Sequence, residues 1–316
     1  MRHMKDKGQV AIGEKSMLVS KLIQDVYPEM KIEAVREKEV KALGYISSPE
    51  KNICAFVEEK RFVRNIPDNV DMLIIKKDME EAVRLKKGIG YVIVDHPRNV
   101  FWGIHNSLAG SHYVREQKEN QISKSAVISP KAEISSHNVV IGDNVVIEAF
   151  ATIYENTTIG DDCKISSGCR IGGVGFQENK NGKYIETVNH YGGVTLKKGV
   201  ELQSNSCIDR ALFPWQDTVI GSYTKIDNLV HIAHAVKIGD ACMLTANVTI
   251  AGFCQIGDEV WIGLGSILRN GIHVGNRARI NMGSVVVDNV EEDMSVSGNY
   301  AIDHTRFLFH QMKLRK

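Results

Sequence analysis

From Ile220 onward an aliphatic residue returns at every sixth position, twelve times without a miss: Ile220, Ile226, Ile232, Ile238, Leu244, Ile250, Ile256, Ile262, Leu268, Val274, Ile280 and Val286. An earlier run in another register gives Ile141, Ile147, Ile153, Ile159, Ile165 and Ile171. A helix repeats at about 3.6 residues and a flat strand at about 2, so neither keeps this beat. A chain that turns a corner every six residues does. The metre therefore predicts a β-helix solenoid in which each hexad supplies one short strand, one inward aliphatic side chain and one turn. Gly-Asp or Gly-Asn follows the metre at Gly142-Asp143, Gly160-Asp161, Gly239-Asp240, Gly257-Asp258 and Gly275-Asn276. These pairs are expected to supply the left-handed backbone of sharp corners. Stacked coils should lie about 4.8 Å apart, the usual strand spacing.

Before about residue 115 the metre is absent and the pattern alternates. Ser16 to Asp25 reads as helix, and Asn52 to Phe62 contains an apolar run. Asp71 to Ile75 reads as a buried strand, Met79 to Lys87 as a helix, and Tyr91 to Val94 as a strand that Asp95-His96-Pro97 stops. Asn99 to Ala109 reads as a helix with Val100, Ile104 and Leu108 on one face. The expected organisation is a small α/β domain over 1–118, a β-helix over 119–296 and a short tail over 297–316 that closes as a single helix. Arg115 to Asn120 is the expected linker. Two stretches interrupt the metre, Gly172 to about Gly193 and Ala211 to Asp217. They carry Phe176, Tyr184, His190, Tyr191, Phe213 and Trp215. Extruded loops of a solenoid often line its binding face. Their aromatics are expected to be covered by a ligand or a neighbouring subunit, or else to lie as lids on the tube itself.

Composition narrows the function. A net charge of +1 over 316 residues offers no polyanion-binding excess, which argues against nucleic acid. No stretch approaches the roughly 20 apolar residues of a membrane span. Met1 to Tyr27 is charged throughout, with no visible leader, so a cytoplasmic location is expected. The six cysteines form no Cys-x-x-Cys pair and read as small buried thiols.

Three segments carry a resemblance: Ile171-Gly172-Gly173-Val174-Gly175-Phe176, Cys207-Ile208-Asp209-Arg210-Ala211-Leu212, and Lys225 to His234 with its Ile232-Ala233-His234 triplet. The chain resembles the left-handed β-helix acyltransferases, and within them the UDP-3-O-acylglucosamine N-acyltransferase family of lipid A synthesis. That resemblance implies a left-handed coil, although strand crossovers are nearly always right-handed. It also implies a homotrimer with sites between neighbouring prisms, a nucleotide-side N-terminal domain, and a UDP-linked amino sugar as acceptor. The donor would be an acyl carrier protein phosphopantetheine or coenzyme A thioester, with no permanently bound cofactor and no metal. The family's uracil clamp has its counterpart at Tyr45-Ile46-Ser47-Ser48-Pro49-Glu50-Lys51, where Tyr45 can stack but Ser48 and Lys51 depart from the family pattern. Its second histidine corresponds to Gly271, with His273 displaced by two.

Acyl transfer from a thioester to an amine needs a base, an oxyanion donor and two reactants held together. His234 matches the family's catalytic histidine, and its residue type suits a base near neutral pH. Eighteen residues on, one coil of three hexads, stands Gly252, whose backbone N–H is the position the family uses for the oxyanion. Asp227 and Asn228 are candidates for orienting a histidine or meeting a sugar hydroxyl. His190 and Tyr191 are candidates for sugar or phosphate contact, and His231 for a secondary role. Three other readings stay open: a short acyl-CoA-dependent amino-sugar N-acyltransferase of capsule or O-antigen synthesis, a scaffold without catalysis, and a metal lyase. The last is disfavoured because His231, His234 and His273 do not stack at coil spacing.

Overall fold

The computed structural model describes residues 16–64, 66–110, 113, 116–298, 301 and 303–314. Arg115 of the expected linker, Asn299 and Tyr300 of the expected turn after the coil, and the tail's Arg315 and Lys316 lie outside the described residues. The chain divides into two compact units. One comprises Met1–Lys118 with Val174–Gly193 and Ala211–Gln216, and the other comprises Glu119–Gly173, Val194–Arg210 and Asp217–Lys316.

The second unit is the coil. Its short strands form three parallel sheets of eight, eight and nine strands. We call face one the sheet containing Lys225–Ile226, face two that containing His231–Ile232, and face three that containing Lys237–Ile238. Each strand pairs with the strand one coil on, in register: Lys225 with Met243, His231 with Thr249, Lys237 with Gln255. The architecture is a mainly β, parallel β-helix, consistent with the left-handed coil that the resemblance implies. The metre residues fill the tube, and from Ile220 to Val286 all are buried. At the open first coil the beat is only half covered, and Ile122 is exposed. After Val286 the metre changes phase and does not end. Val290 bridges to Val274, and Ser295–Val296 pairs with Arg279–Ile280.

The corners correct one expectation. The left-handed residue lies two positions after the glycine of each Gly-Asx pair, at Asn144, Asp162, Ala241, Glu259 and Arg277 (φ 55–59°). The glycines themselves serve close approach, since a Cβ on Gly239 or Gly257 would overlap the Asp258 or Asn276 side chain of the next coil. Those side chains hold the stack together. Asp258 Oδ1 accepts from Asp240 N at 2.8 Å, Asn276 Oδ1 from Asp258 N at 2.9 Å, and Asp161 Oδ1 from Asp143 N at 2.9 Å.

Four of the cysteines, Cys163, Cys169, Cys242 and Cys254, belong to a second ladder, whereas Cys54 lies in the first unit and Cys207 is half-buried and not the fully buried thiol expected. Cys242 Sγ donates to Gly257 O and Cys254 Sγ to Arg269 O, both at 3.1 Å. Thr224 and Ser266 hydroxyls make the same step fifteen residues ahead. Burial pushes the Cys242 thiol up to about 11. Because a hydroxyl fills the same role elsewhere in the ladder, Cys242→Ser should leave the melting temperature unchanged or slightly raised. Cys242→Ala should lose about 1 kcal/mol in denaturant titration, one net hydrogen bond.

The first unit carries a five-stranded sheet. Glu33–Val35 is antiparallel to Gly90–Ile93, which runs parallel to Val70–Ile75, Ile53–Phe56 and Ala42–Leu43 in that order. Helices Val19–Val26 and Pro97–Ser107 belong to it, the latter with proline in its first turn, where a missing N–H costs nothing. The expected helix from Met79 is short, Glu80–Arg84. The tail helix spans His304–Leu314.

Candidate active site

His234 sits at the corner between faces two and three, just after the strand His231–Ile232. Ala235, next along, takes the left-handed turn (φ 57°), and its N–H donates to Thr218 Oγ1 at 2.9 Å. Thr218 in turn donates to Asp209 O at 2.7 Å, which ties the His234 corner to the coil below. The coil above closes over the ring. Phe253 N donates to His234 O at 3.0 Å, and its ring meets the imidazole edge-on with centroids 5.1 Å apart. Between them lies Gly252. A Cβ built there would stand 2.5 Å from His234 Nε2, so the imidazole rests directly on the glycine. Among the described residues Gly252 N–H donates no hydrogen bond, whereas its carbonyl accepts from Gly271 N at 2.9 Å.

His234 is buried at 6% exposure. Desolvation, and then the neighbouring His231, pull its pKa down to about 4, so the ring is neutral at physiological pH. His231 points outward on face two, half exposed, its pKa lowered by burial. Its Nε2 lies 3.6 Å from Asp209 Oδ2. Burial raises the Asp209 carboxyl to about 7. Arg210 is buried, with Nη1 on Glu155 Oε1 and Nε on Gly172 O, both at 2.6 Å.

Asp209 and Arg210 stand in a segment that carries the resemblance, yet nothing in the spacing brought them to the site. Cys207 pairs with His231 and Ile208 with Ile232, so the next residue, Asp209, comes against Ala233 at the end of the paired strands. That register is twenty-four residues, one coil plus the six residues of Ala211–Gln216. Stepping back eighteen from His234 lands in that insertion.

Asp227 and Asn228 sit at the previous corner, between faces one and two. Asp227 Oδ1 accepts from Asn228 N at 2.8 Å and Asn228 Nδ2 at 2.7 Å, and Oδ2 from Ala246 N at 3.1 Å. They line a shallow groove of about 290 Å³ on face one with Lys225, Thr245 and Trp261. His273 is on face three, paired with Gln255. Among the described residues no three His, Cys, Asp or Glu side chains gather closely enough to hold a metal ion.

Tyr45, His190 and Tyr191 belong to the first unit. Tyr45 is half-buried, edge-on to Phe213 at 5.6 Å and to Trp102 at 5.8 Å. Burial raises its hydroxyl pKa. His190 is buried with Nδ1 3.0 Å from Val188 O, and Tyr191 donates to Asn106 O at 3.1 Å. The loop aromatics are thus partly a correction. Phe213 is fully buried, and Trp215 stacks on it at 5.3 Å while its Nε1 donates to Leu43 O. Phe213 is covered by its own unit, and Trp215 is half-buried within it. Phe176 and Tyr184, by contrast, are 85% and 78% exposed beside and on the hairpin of Glu178–Asn181 and Tyr184–Thr187.

One site-directed change isolates the His234–Gly252 contact. Gly252→Ala should displace the imidazole and lower kcat by about 10–100-fold, the scale of an ångström's misplacement. An unchanged kcat in steady-state assays would show that the packing of Gly252 on the ring is irrelevant to turnover.

The chain matches the family model for the bacterial transferase hexapeptide (six repeats) over residues 138–173 and 217–252. It matches the hexapeptide repeat of succinyl-transferase over residues 255–287. It is 41% identical over 80 residues to UDP-3-O-acylglucosamine N-acyltransferase 1 of Francisella tularensis, a match covering 25% of this chain and 22% of that protein. It is 45% identical over 80 residues to UDP-3-O-acylglucosamine N-acyltransferase 2 of Legionella pneumophila, with the same shares. The match therefore spans less than a quarter of those relatives. The solved UDP-N-acetylglucosamine acyltransferase of Francisella novicida covers 61% of this chain and 71% of its own at 23% identity and a TM-score of 0.46. Over that quarter of its length the chain is similar to UDP-3-O-acylglucosamine N-acyltransferases, and its coil carries the repeats of bacterial hexapeptide transferases.

Proposed function

We propose that this protein is an amino-sugar N-acyltransferase that moves an acyl group from a phosphopantetheine thioester to the amine of a UDP-linked amino sugar. The observation that carries the proposal is the neutral His234 imidazole lying on Gly252, whose N–H has no acceptor among the described residues. The amine nitrogen attacks the thioester carbonyl carbon while His234 takes a proton from that nitrogen. The carbonyl oxygen becomes an oxyanion and accepts from Gly252 N–H, a contact worth roughly 3 kcal/mol of barrier. The C–S bond then breaks, and the imidazolium returns its proton to the leaving thiolate. The thioester is already activated, so no covalent enzyme intermediate is required. Asp227 and Asn228 are proposed to meet the sugar, and Tyr45, with His190 and Tyr191, to support the nucleotide side. A homotrimer in the cytoplasm is proposed with this activity. No helix among the described residues is long and apolar enough to cross a membrane.

The departures at Ser48 and Lys51 favour keeping a second reading, in which a short acyl-CoA is the donor. Purified protein, UDP-amino sugars and a panel of acyl-carrier and acyl-CoA donors, read by mass spectrometry, separate the two. Consumption of carrier-bound acyl groups with N-acylated UDP-sugar as product supports the first. Consumption of coenzyme A donors alone supports the second, and no N-acylated product with any pair refutes both.

A further inference from the structure

Asp209 is the one buried acidic side chain among the described residues, and its backbone carbonyl is tied through Thr218 to the N–H of Ala235 at the His234 corner. It is 8% exposed, and among the described residues no hydrogen bond reaches its carboxylate. At the coil's corners, by contrast, Asp161, Asp240 and Asp258 take backbone N–H groups, and Asp227 takes three donors. The groups around Asp209 do not neutralise it. His231 from the coil above is 3.6 Å away, beyond hydrogen-bond reach. Arg210, next in the chain, is committed to Glu155 and Gly172. Arg170 in the coil below stands opposite Cys207, the strand neighbour whose thiol is itself raised by burial. A buried carboxylate without a partner is costly, so its retention beside a candidate base points to a cation that arrives with the substrate.

The geometry points to Asp209 as the seat of the acceptor's ammonium group, with His231 as the exit for its first proton, an assignment that rests on the amine-acylating function proposed above. The position fits. Asp209 lies opposite Ala233, which offers only a methyl group, one residue before His234 in the coil above. A hexosamine amine enters largely protonated and must lose one proton before its lone pair can attack. The ion pair with Asp209 fixes the nitrogen, and that first proton passes to half-exposed His231 and on to water. The second proton leaves the nitrogen for His234 during attack and ends on the thiol. Ammonium and thioester thus become amide, thiol and one released proton. The carboxyl's elevated pKa agrees with a group that lacks a cation until substrate arrives.

Calorimetric binding of two probes tests this without relying on turnover: a UDP-hexose with a free 2-amino group, and UDP-glucose, which carries a hydroxyl there. The wild type should prefer the amine by about tenfold or more. Asp209→Asn should bind both alike, leave the KM for the acyl donor unchanged, and flatten the pH dependence of the acceptor KM between pH 6 and 8. Asp209→Glu, which keeps the charge, should recover part of the preference. An Asn variant that still prefers the amine, or a wild type that binds the two probes equally, overturns the assignment. Should the Asn variant fail to fold, a Glu variant with no amine preference overturns it as well, since the carboxylate would then be present without effect. Failure of the wild type to acylate any amine would instead remove the function proposed above, a separate readout from probe discrimination.

Discussion

His234→Ala lowers kcat for acyl transfer by about 10³-fold, within the usual span for loss of a general base, and leaves the acceptor KM within about threefold. The expectation follows from where the ring sits. It is buried, held neutral, and packed on the Gly252 backbone that would face the oxyanion. A pKa near 4 makes the free imidazole a weak base, which would count against it in isolation. During attack, however, negative charge develops on the carbonyl oxygen at the neighbouring N–H. An imidazolium formed beside that charge is stabilised just when it is needed, so the basicity rises in the transition state. The same depression fixes a pH signature. The wild-type acid limb from His234 should lie near pH 4 rather than near 6.5, because the ring stays unprotonated through the intervening range. Single-turnover assays with mass-spectrometric detection give the comparison. An alanine variant retaining more than about a tenth of the wild-type rate would mean that the proton goes elsewhere, and the whole scheme would fall with it.

The tube and its two interruptions were legible because inward packing repeats locally. A hexad metre is written residue by residue, and the eighteen-residue register of His234 with Gly252 follows from it without any long-range contact. What the corners do was not legible. Gly239 and Gly257 have the residue type of a left-handed turn, but the turn is made by Ala241 and Glu259, and the glycines make room for the neighbouring coil's side chains. Composition names a residue that tolerates both jobs and does not say which job it has. Phe213 and Trp215 failed for a different reason: their partners, Tyr45, Leu43 and Trp102, lie more than a hundred residues earlier, beyond any periodic signal. Asp209 stayed hidden because the insertion after Arg210 adds six residues to one coil. The interruption is visible, but it has the length of one hexad, so the metre resumes in phase and an eighteen-residue step back from His234 misses Asp209.

Asp209→Asn should make the protein more stable at alkaline pH, by about 2–4 kcal/mol at pH 8, and change little at pH 4. In the folded chain burial raises this carboxyl from 3.8 to about 7, so the native state binds the proton more tightly than the unfolded chain does. Stability therefore falls as pH climbs through the window between those values, and the loss is complete above about 7. Three pKa units correspond to about 4 kcal/mol at 1.36 kcal/mol each, an upper figure because the buried site relaxes and admits water. His234 works in the opposite direction. Its folded pKa, near 4, lies below the usual 6.5, so it costs stability as pH falls through that window and nothing above it. The two slopes overlap between about pH 4 and 6.5 and largely cancel in the wild type. Asparagine removes one of them and leaves the other exposed. Buried His105, also pulled down to about 4, adds to the His234 slope in both proteins, so urea titrations from pH 4 to 8 should show stability rising with pH more steeply in the variant than in the wild type. A variant that parallels the wild type at every pH would mean that Asp209 is already neutralised in the folded protein, and a substrate cation would then have no charge there to meet.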